Sequence, residues 1–227
     1  MDNLQSIVDS ICEEFEARSA VRDETLRRSR QVIRYCANSI RASHRDDFEE
    51  AQHLLATARG TVAEMLTDIA AYPELYHTGY TQDALKELSE AHITYALVTD
   101  DDLPTPQELK VTSSAYLNGL AEAVGELRRY LLDRLRRGDV AAGERLLVGM
   151  DEIYSVLITV DFPDAITRGL RRNTDMVRGV LERTRGDLTT AVRQEEMKRA
   201  LRAFSQGTGI LEESPEDQSG MESPNNA

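Results

Sequence analysis

Two pairs of glutamates are the residues of this chain whose type and spacing could do chemistry. Glu87 and Glu90 stand three residues apart in ALKELSEAHITYALVT, and Glu122 and Glu126 stand four apart in YLNGLAEAVGELRRY. On a helix either spacing puts both carboxylates on one face, where they repel each other. Four carboxylates converging between two antiparallel helices would bind Mg²⁺ or Mn²⁺, because hard cations take oxygen ligands. A di-iron carboxylate bundle would need Glu-x-x-His pairs. Three residues after Glu87, Glu90, Glu122 and Glu126 stand Glu90, Ile93, Gly125 and Arg129, so iron is disfavoured. The competing reading is an ordinary acidic face in solvent.

Other chemistries find no pattern. His44, His53, His77 and His92 form no spaced set, and His92 falls on an apolar face, as a core histidine would. There is no GxSxG, GxGxxG or GxxxxGK[ST], which leaves serine-hydrolase, dinucleotide and P-loop readings without support. Cys12 and Cys36 are the only cysteines and lie in no CxxC, so both are expected to be buried small hydrophobes. Arginines cluster at Arg22, Arg27, Arg28, Arg30 and Arg34, at Arg128, Arg129, Arg134, Arg136 and Arg137, and at Arg168, Arg171, Arg172 and Arg178. Each cluster could grip phosphate through planar guanidinium forks, or could be an Arg/Glu-laced solvent face.

The elements that must position these residues read as helices. The 227 residues hold no Trp and 5% aromatics, with Ala, Leu, Glu and Arg abundant, which favours helices packed on helices. Residues 3–43 contain neither Pro nor Gly and carry Ile7, Ile11, Phe15, Leu26, Val32, Ile33, Cys36 and Ile40 at helical steps. One helix of that length would span ~60 Å. Asp46 is a plausible N-cap for a second helix reaching about Ala71. After a break at Tyr72-Pro73 a third runs from about Thr81 to Val98, with Glu87 and Glu90 on one side. The helix of Glu122 and Glu126 follows an irregular stretch near residues 112–114 and ends where Gly138 fits a C′ position. Val140 to Val160 makes a fifth. The last helical region, about Asp164 to Phe204, is expected to restart at Asn173 or Thr174. No strand pattern appears.

Net charge is −13, which argues mildly against a polyanion partner unless basic groups are concentrated locally. Only Lys86, Lys110 and Lys198 are lysines, and few Lys beside many acids suggests a high-salt cytoplasm. Met1 to Ala20 carries acids where a signal peptide would be basic, and no run of 18 apolar residues occurs, so a cytoplasmic protein with no membrane partner is expected.

The order of the pieces resembles the translin family, which includes translin and translin-associated factor X (TRAX), here of an archaeal type. The resemblance covers most of Glu14 to Val192. It rests on RDETLRRSRQVIRYC, ALKELSEAHITYALVT, YLNGLAEAVGELRRY and FPDAITRGLRRNTDMVRGVLERTRGDL, the third being the most specific by its Tyr-Leu-x-Gly start. It implies an all-α, elongated bundle of about seven helices, with 1–204 as the translin-like domain and 205–227 as a disordered acidic tail. It implies a homo-oligomeric barrel, commonly an octamer, with nucleic acid inside. The TRAX branch is a Mg²⁺-dependent RNA endonuclease, and its acids match Glu87, Glu90 and Glu122 here, with Glu126 at the further acid kept by both branches. Glu122 stands where Asp is more usual, which lengthens that arm. The basic, aromatic RNA-contact stretch of translin is here Leu75-Tyr76-His77-Thr78-Gly79-Tyr80, with little charge, so arginines elsewhere would have to serve.

The expectation is therefore a Mg²⁺- or Mn²⁺-dependent endoribonuclease acting on single-stranded RNA, with single-stranded DNA a further substrate. Glu87, Glu90 and Glu122 would be catalytic and metal-binding, and Glu126 a supporting metal ligand. The alternatives are a non-catalytic barrel that binds single-stranded nucleic acid, and a purely structural oligomer.

Overall fold

A computed structural model describes residues 3–208. In chain order the helices are α1 (Leu4–His44), α2 (Phe48–Asp68), α3 (Pro73–Tyr76), α4 (Gly79–Thr99), α5 (Pro106–Leu109), α6 (Ser113–Arg136), α7 (Val140–Leu157), α8 (Asp164–Thr167) and α9 (Leu170–Thr208), with a 3-10 turn at Ile69–Ala71. The fold is all-α, and no strand occurs among the described residues. The described residues divide into two units, the first ending at Leu188 and the second beginning at Thr189. In the second, α9 runs on as helix to Thr208, past the Ser205 at which the tail is expected to begin, with Met197, Leu201 and Phe204 exposed. The rest of the expected tail lies outside the described residues.

The helix ends follow local chemistry. Thr112 caps α6 by accepting from the Ala115 amide (3.2 Å). Gly138, at φ +84°, turns the chain out of α6 as a C′ glycine. Thr105 and Glu108 close a capping box on α5. Two boundaries differ from expectation. Asp47, not Asp46, caps α2, accepting from the Glu50 amide (3.3 Å). Asp46 instead sits at φ +62° and turns toward α6, where it accepts from the Tyr130 hydroxyl (2.8 Å), Arg134 (2.5 Å) and Arg137 (2.5 Å). Burial raises the Asp46 pKa, but these donors and charges outweigh it and hold the carboxyl below its ordinary range. The last helical region breaks at Arg168-Gly169, not at Asn173, because both adopt positive φ (52° and 86°) and the Gly169 amide donates to Asp164 Oδ1 (2.7 Å).

Helix α4 lies between two cores. On one side Val32, Cys36, Leu55, Val62, Met65, Leu85 and Leu88 pack from α1, α2 and α4. On the other, Ile93, Val124, Leu127, Leu131, Met150, Leu157, Val177 and Leu181 join α4 to α6, α7 and the start of α9. Leu85, Leu88, Ile93, Leu127 and Leu131 are fully buried, each worth roughly 1.5–3 kcal/mol of apolar transfer. Glu90, Thr94 and Val98, on the side of α4 away from Leu85 and Leu88, are therefore buried as well.

The ends of the apolar stripes are not covered. Ile7, Ile11 and Phe15 on α1, and Ile158 and Ile166, are exposed. Cys36 is buried but Cys12 is exposed, because it belongs to that uncovered stretch of α1. Among the described residues no helix is long and apolar enough to cross a membrane.

Candidate metal centre

The two acidic pairs separate into one cluster and one neighbour. Helices α4 and α6 run against each other, and Gly119 marks where they nearly touch. A Cβ at Gly119 would lie 2.7 Å from the Lys86 carbonyl oxygen, 2.7 Å from Ser89 Cβ and 2.8 Å from the Glu90 amide nitrogen. Only a residue without a side chain permits that approach. One turn further along α6, it brings Glu122 over Glu87 and Glu90. One carboxylate oxygen from each of Glu87, Glu90 and Glu122 lies within 4.8 Å of the other two.

Glu126 is held apart from this set. Its Oε2 is hydrogen-bonded to His44 Nε2 at 2.5 Å, from the last turn of α1. That bond, more than the opposing burial, lowers the Glu126 pKa. His44 is buried and tilted against Tyr130, with ring centroids 6.2 Å apart, so its orientation is fixed.

Three acids in one part-buried place must be compensated. Burial is the main cause that pushes Glu90 up to about 8, and the charges of Glu87, Glu122 and Glu126 add to it. Burial also raises Glu87, with Lys86 partly offsetting it. The Lys86 ammonium lies 2.6 Å from Glu122 and 3.4 Å from Glu87. Burial would lower the Lys86 pKa, but Glu122 and Glu87 outweigh it and keep the amine charged. An all-oxygen, acid-rich set with one carboxyl inclined to hold its proton fits a hard divalent cation, which would replace that proton. His and Cys are absent from the set, which does not suit zinc. The one nearby thiol, Cys36, is pushed up by burial and then by Glu87 and Glu90.

His92 lies where the apolar face of α4 implies. Burial lowers its pKa to about 4, and its Nε2 has no partner among the described residues, so it is a neutral core imidazole. Sequence spacing did not single out Lys86 or His44. Lys86 had a signal, being one of three lysines in the chain and adjacent to Glu87. His44 had none, since only the fold brings α1 to Glu126.

No family model matches the chain. It is 31% identical over 209 residues to an uncharacterised protein of Methanocaldococcus jannaschii, covering 91% of this chain and 90% of that one. It is similar to the crystal structure of AfC3PO, from Archaeoglobus, at 34% identity and TM-score 0.76, over 82% of this chain and 97% of that one. The same holds for AfC3PO in complex with duplex RNA, at 36% identity and TM-score 0.73, again over 82% and 97%. The chain belongs to the translin family. The fold also matches apo-NeC3PO of Neurospora at 20% identity and TM-score 0.74, over 81% and 96%. Within the translin fold, then, the glutamates of α4 and α6 face one another across the Gly119 contact.

Proposed function

We propose that this translin-family protein is a metal-dependent endoribonuclease, cleaving single-stranded RNA, with single-stranded DNA a further substrate, inside a homo-oligomeric barrel. The observation that carries the reading is the convergence of Glu87, Glu90 and Glu122 from two helices. The RNA held by the similar AfC3PO structure supports nucleic acid as the partner. Uncovered apolar residues on α1, with Leu4 54%, Ile7 47% and Phe15 57% exposed, support assembly, with an octamer as the proposed state and the cytoplasm as the proposed location.

In this reading Glu87, Glu90 and Glu122 hold Mg²⁺ or Mn²⁺, and Glu126 supports them from the next turn of α6. A bound divalent ion would polarise the phosphate and lower the pKa of its water. The chain's own part is positional. His44 fixes Glu126. Lys86 holds Glu122 in place and offers an ammonium beside the acids for charge that develops on a phosphate.

A non-catalytic nucleic-acid-binding barrel is the second reading, favoured by the same Lys86, which already neutralises Glu122. Cleavage of labelled single-stranded RNA by the oligomeric fraction separates the two. We expect cleavage with Mn²⁺ or Mg²⁺, none with EDTA, and a fall of at least about 100-fold in Glu122→Ala, since a metal supplies several kcal/mol of transition-state stabilisation. Equal cleavage by Glu122→Ala removes the site assignment. Binding without cleavage in every divalent metal establishes the second reading.

A further inference from the structure

The acidic set accounts for attack on a phosphate but leaves open what grips the strand beside it. A cleft of about 390 Å³ opens next to that set, shared with it through Lys86 and Glu122 and lined as well by Arg168 and Arg172. That volume is at the small end of ligand sites. Asn118 builds part of the wall. Its Nδ2 donates to the Thr167 carbonyl (2.8 Å) and its Oδ1 accepts from Asn173 Nδ2 (2.9 Å), which ties the α8–α9 turn to α6. Arg168 is the αL residue of that turn, so its backbone position is set by the same bonds.

Arg22 pairs with Asp23, Arg27 with Glu24, Arg28 with Asp68, and Arg134 and Arg137 with Asp46. Among the described residues neither Arg168 nor Arg172 has a carboxylate partner, and Arg168 makes one long bond to the His77 carbonyl (3.4 Å). Arg30, Arg34 and Arg129 also lack an ion pair among the described residues, but of the three clusters only Arg168 and Arg172 line this cleft. Besides Glu122, the cleft holds one acid, the exposed Asp83, and three amides, Gln82, Asn118 and Asn173, already engaged with neighbours. Two unpaired guanidinium forks around a small cleft beside an ammonium are a phosphate-binding arrangement.

We infer that this cleft is the subsite for the phosphodiester neighbouring the scissile one, with Arg168 and Arg172 gripping the RNA backbone. The inference rests on the nuclease reading but is tested without it. A fluorescein-labelled single-stranded RNA oligonucleotide is titrated with full-length protein in EDTA, followed by anisotropy across a salt series. The Arg168→Ala/Arg172→Ala double variant should bind about tenfold more weakly. Its log–log salt slope should flatten by about 1.4, the value for two lost phosphate contacts on a single strand. Arg30→Ala, an exposed arginine of the α1 cluster, should leave both unchanged. Circular dichroism melting confirms that the variants are folded, and Arg168→Lys/Arg172→Lys should restore part of the slope. An unchanged affinity and slope in the double-alanine variant overturns the inference, as does an equal effect of Arg30→Ala. If the double variant loses binding while the wild type cleaves in no metal, the subsite stands and the nuclease reading falls. If Glu122→Ala abolishes cleavage while the double variant binds normally, the reverse holds.

Discussion

Replacing Gly119 with alanine is expected to destabilise the protein by about 1–3 kcal/mol, the usual penalty for overpacking, and to abolish metal-dependent cleavage. The new Cβ would meet the Lys86 carbonyl oxygen and Ser89 Cβ at 2.7 Å and the Glu90 amide at 2.8 Å. Two of those atoms are backbone, so no rotamer change relieves the clash and α4 and α6 must separate. Separation carries Glu122 away from Glu87 and Glu90. Alanine is the better helix former by about 1 kcal/mol, so propensity alone predicts the opposite sign. Gly125→Ala supplies the comparison, because a Cβ there meets nothing within 4 Å. It should stabilise by up to about 1 kcal/mol and leave cleavage intact. Urea unfolding at one fixed protein concentration reads both, since stability and assembly are linked. A Gly119→Ala variant as stable as Gly125→Ala would show that the helices do not meet as described.

Glu90→Gln should move stability and activity in opposite directions. The Glu90 carboxyl titrates near 8 in the fold against 4.5 ordinarily, so between those values the folded state holds a proton that the unfolded state has released. Stability from this group is then present below about pH 4.5 and is lost as pH rises toward 8. At about pH 8, in EDTA, the wild type should carry a penalty on the order of a few kcal/mol that glutamine, uncharged, does not. The variant's advantage should therefore grow between about pH 5 and about pH 8. Cleavage should fall by at least about 100-fold, because the proposed metal set would lose one of its three carboxylates. A Gln variant less stable than wild type at both pH values would mean that Glu90 is ionised and well paired in the fold.

The helices were legible because periodicity records burial. The unbroken run before His44, the Thr112 and Gly138 ends of α6 and the acidic spacings all come from local pattern. What pattern does not contain is which surfaces meet. Glu87, Glu90 and Glu122 can be picked out singly, but their convergence depends on Gly119 lying against the α4 backbone, and a glycine in sequence says only that the site is small. His44 was invisible because it reaches Glu126 across 82 residues of chain. The choice of Asp47 over Asp46 as cap was likewise tertiary, since Asp46 is drawn off by Tyr130 and Arg134 of α6 and by Arg137 just after it. The arginine clusters looked alike in sequence, and only the fold puts Arg168 and Arg172 at the cleft beside Lys86 and Glu122. The Arg168-Gly169 break did have a local signal, a glycine placed to end one short helix before the next.

Anomalous diffraction from crystals of the full chain soaked in Mn²⁺ tests the central claim most directly. The account predicts a manganese peak in contact with carboxylate oxygens of Glu87, Glu90 and Glu122 together, with Lys86 displaced from Glu122. No peak at those carboxylates, with Lys86 still on Glu122, would contradict it.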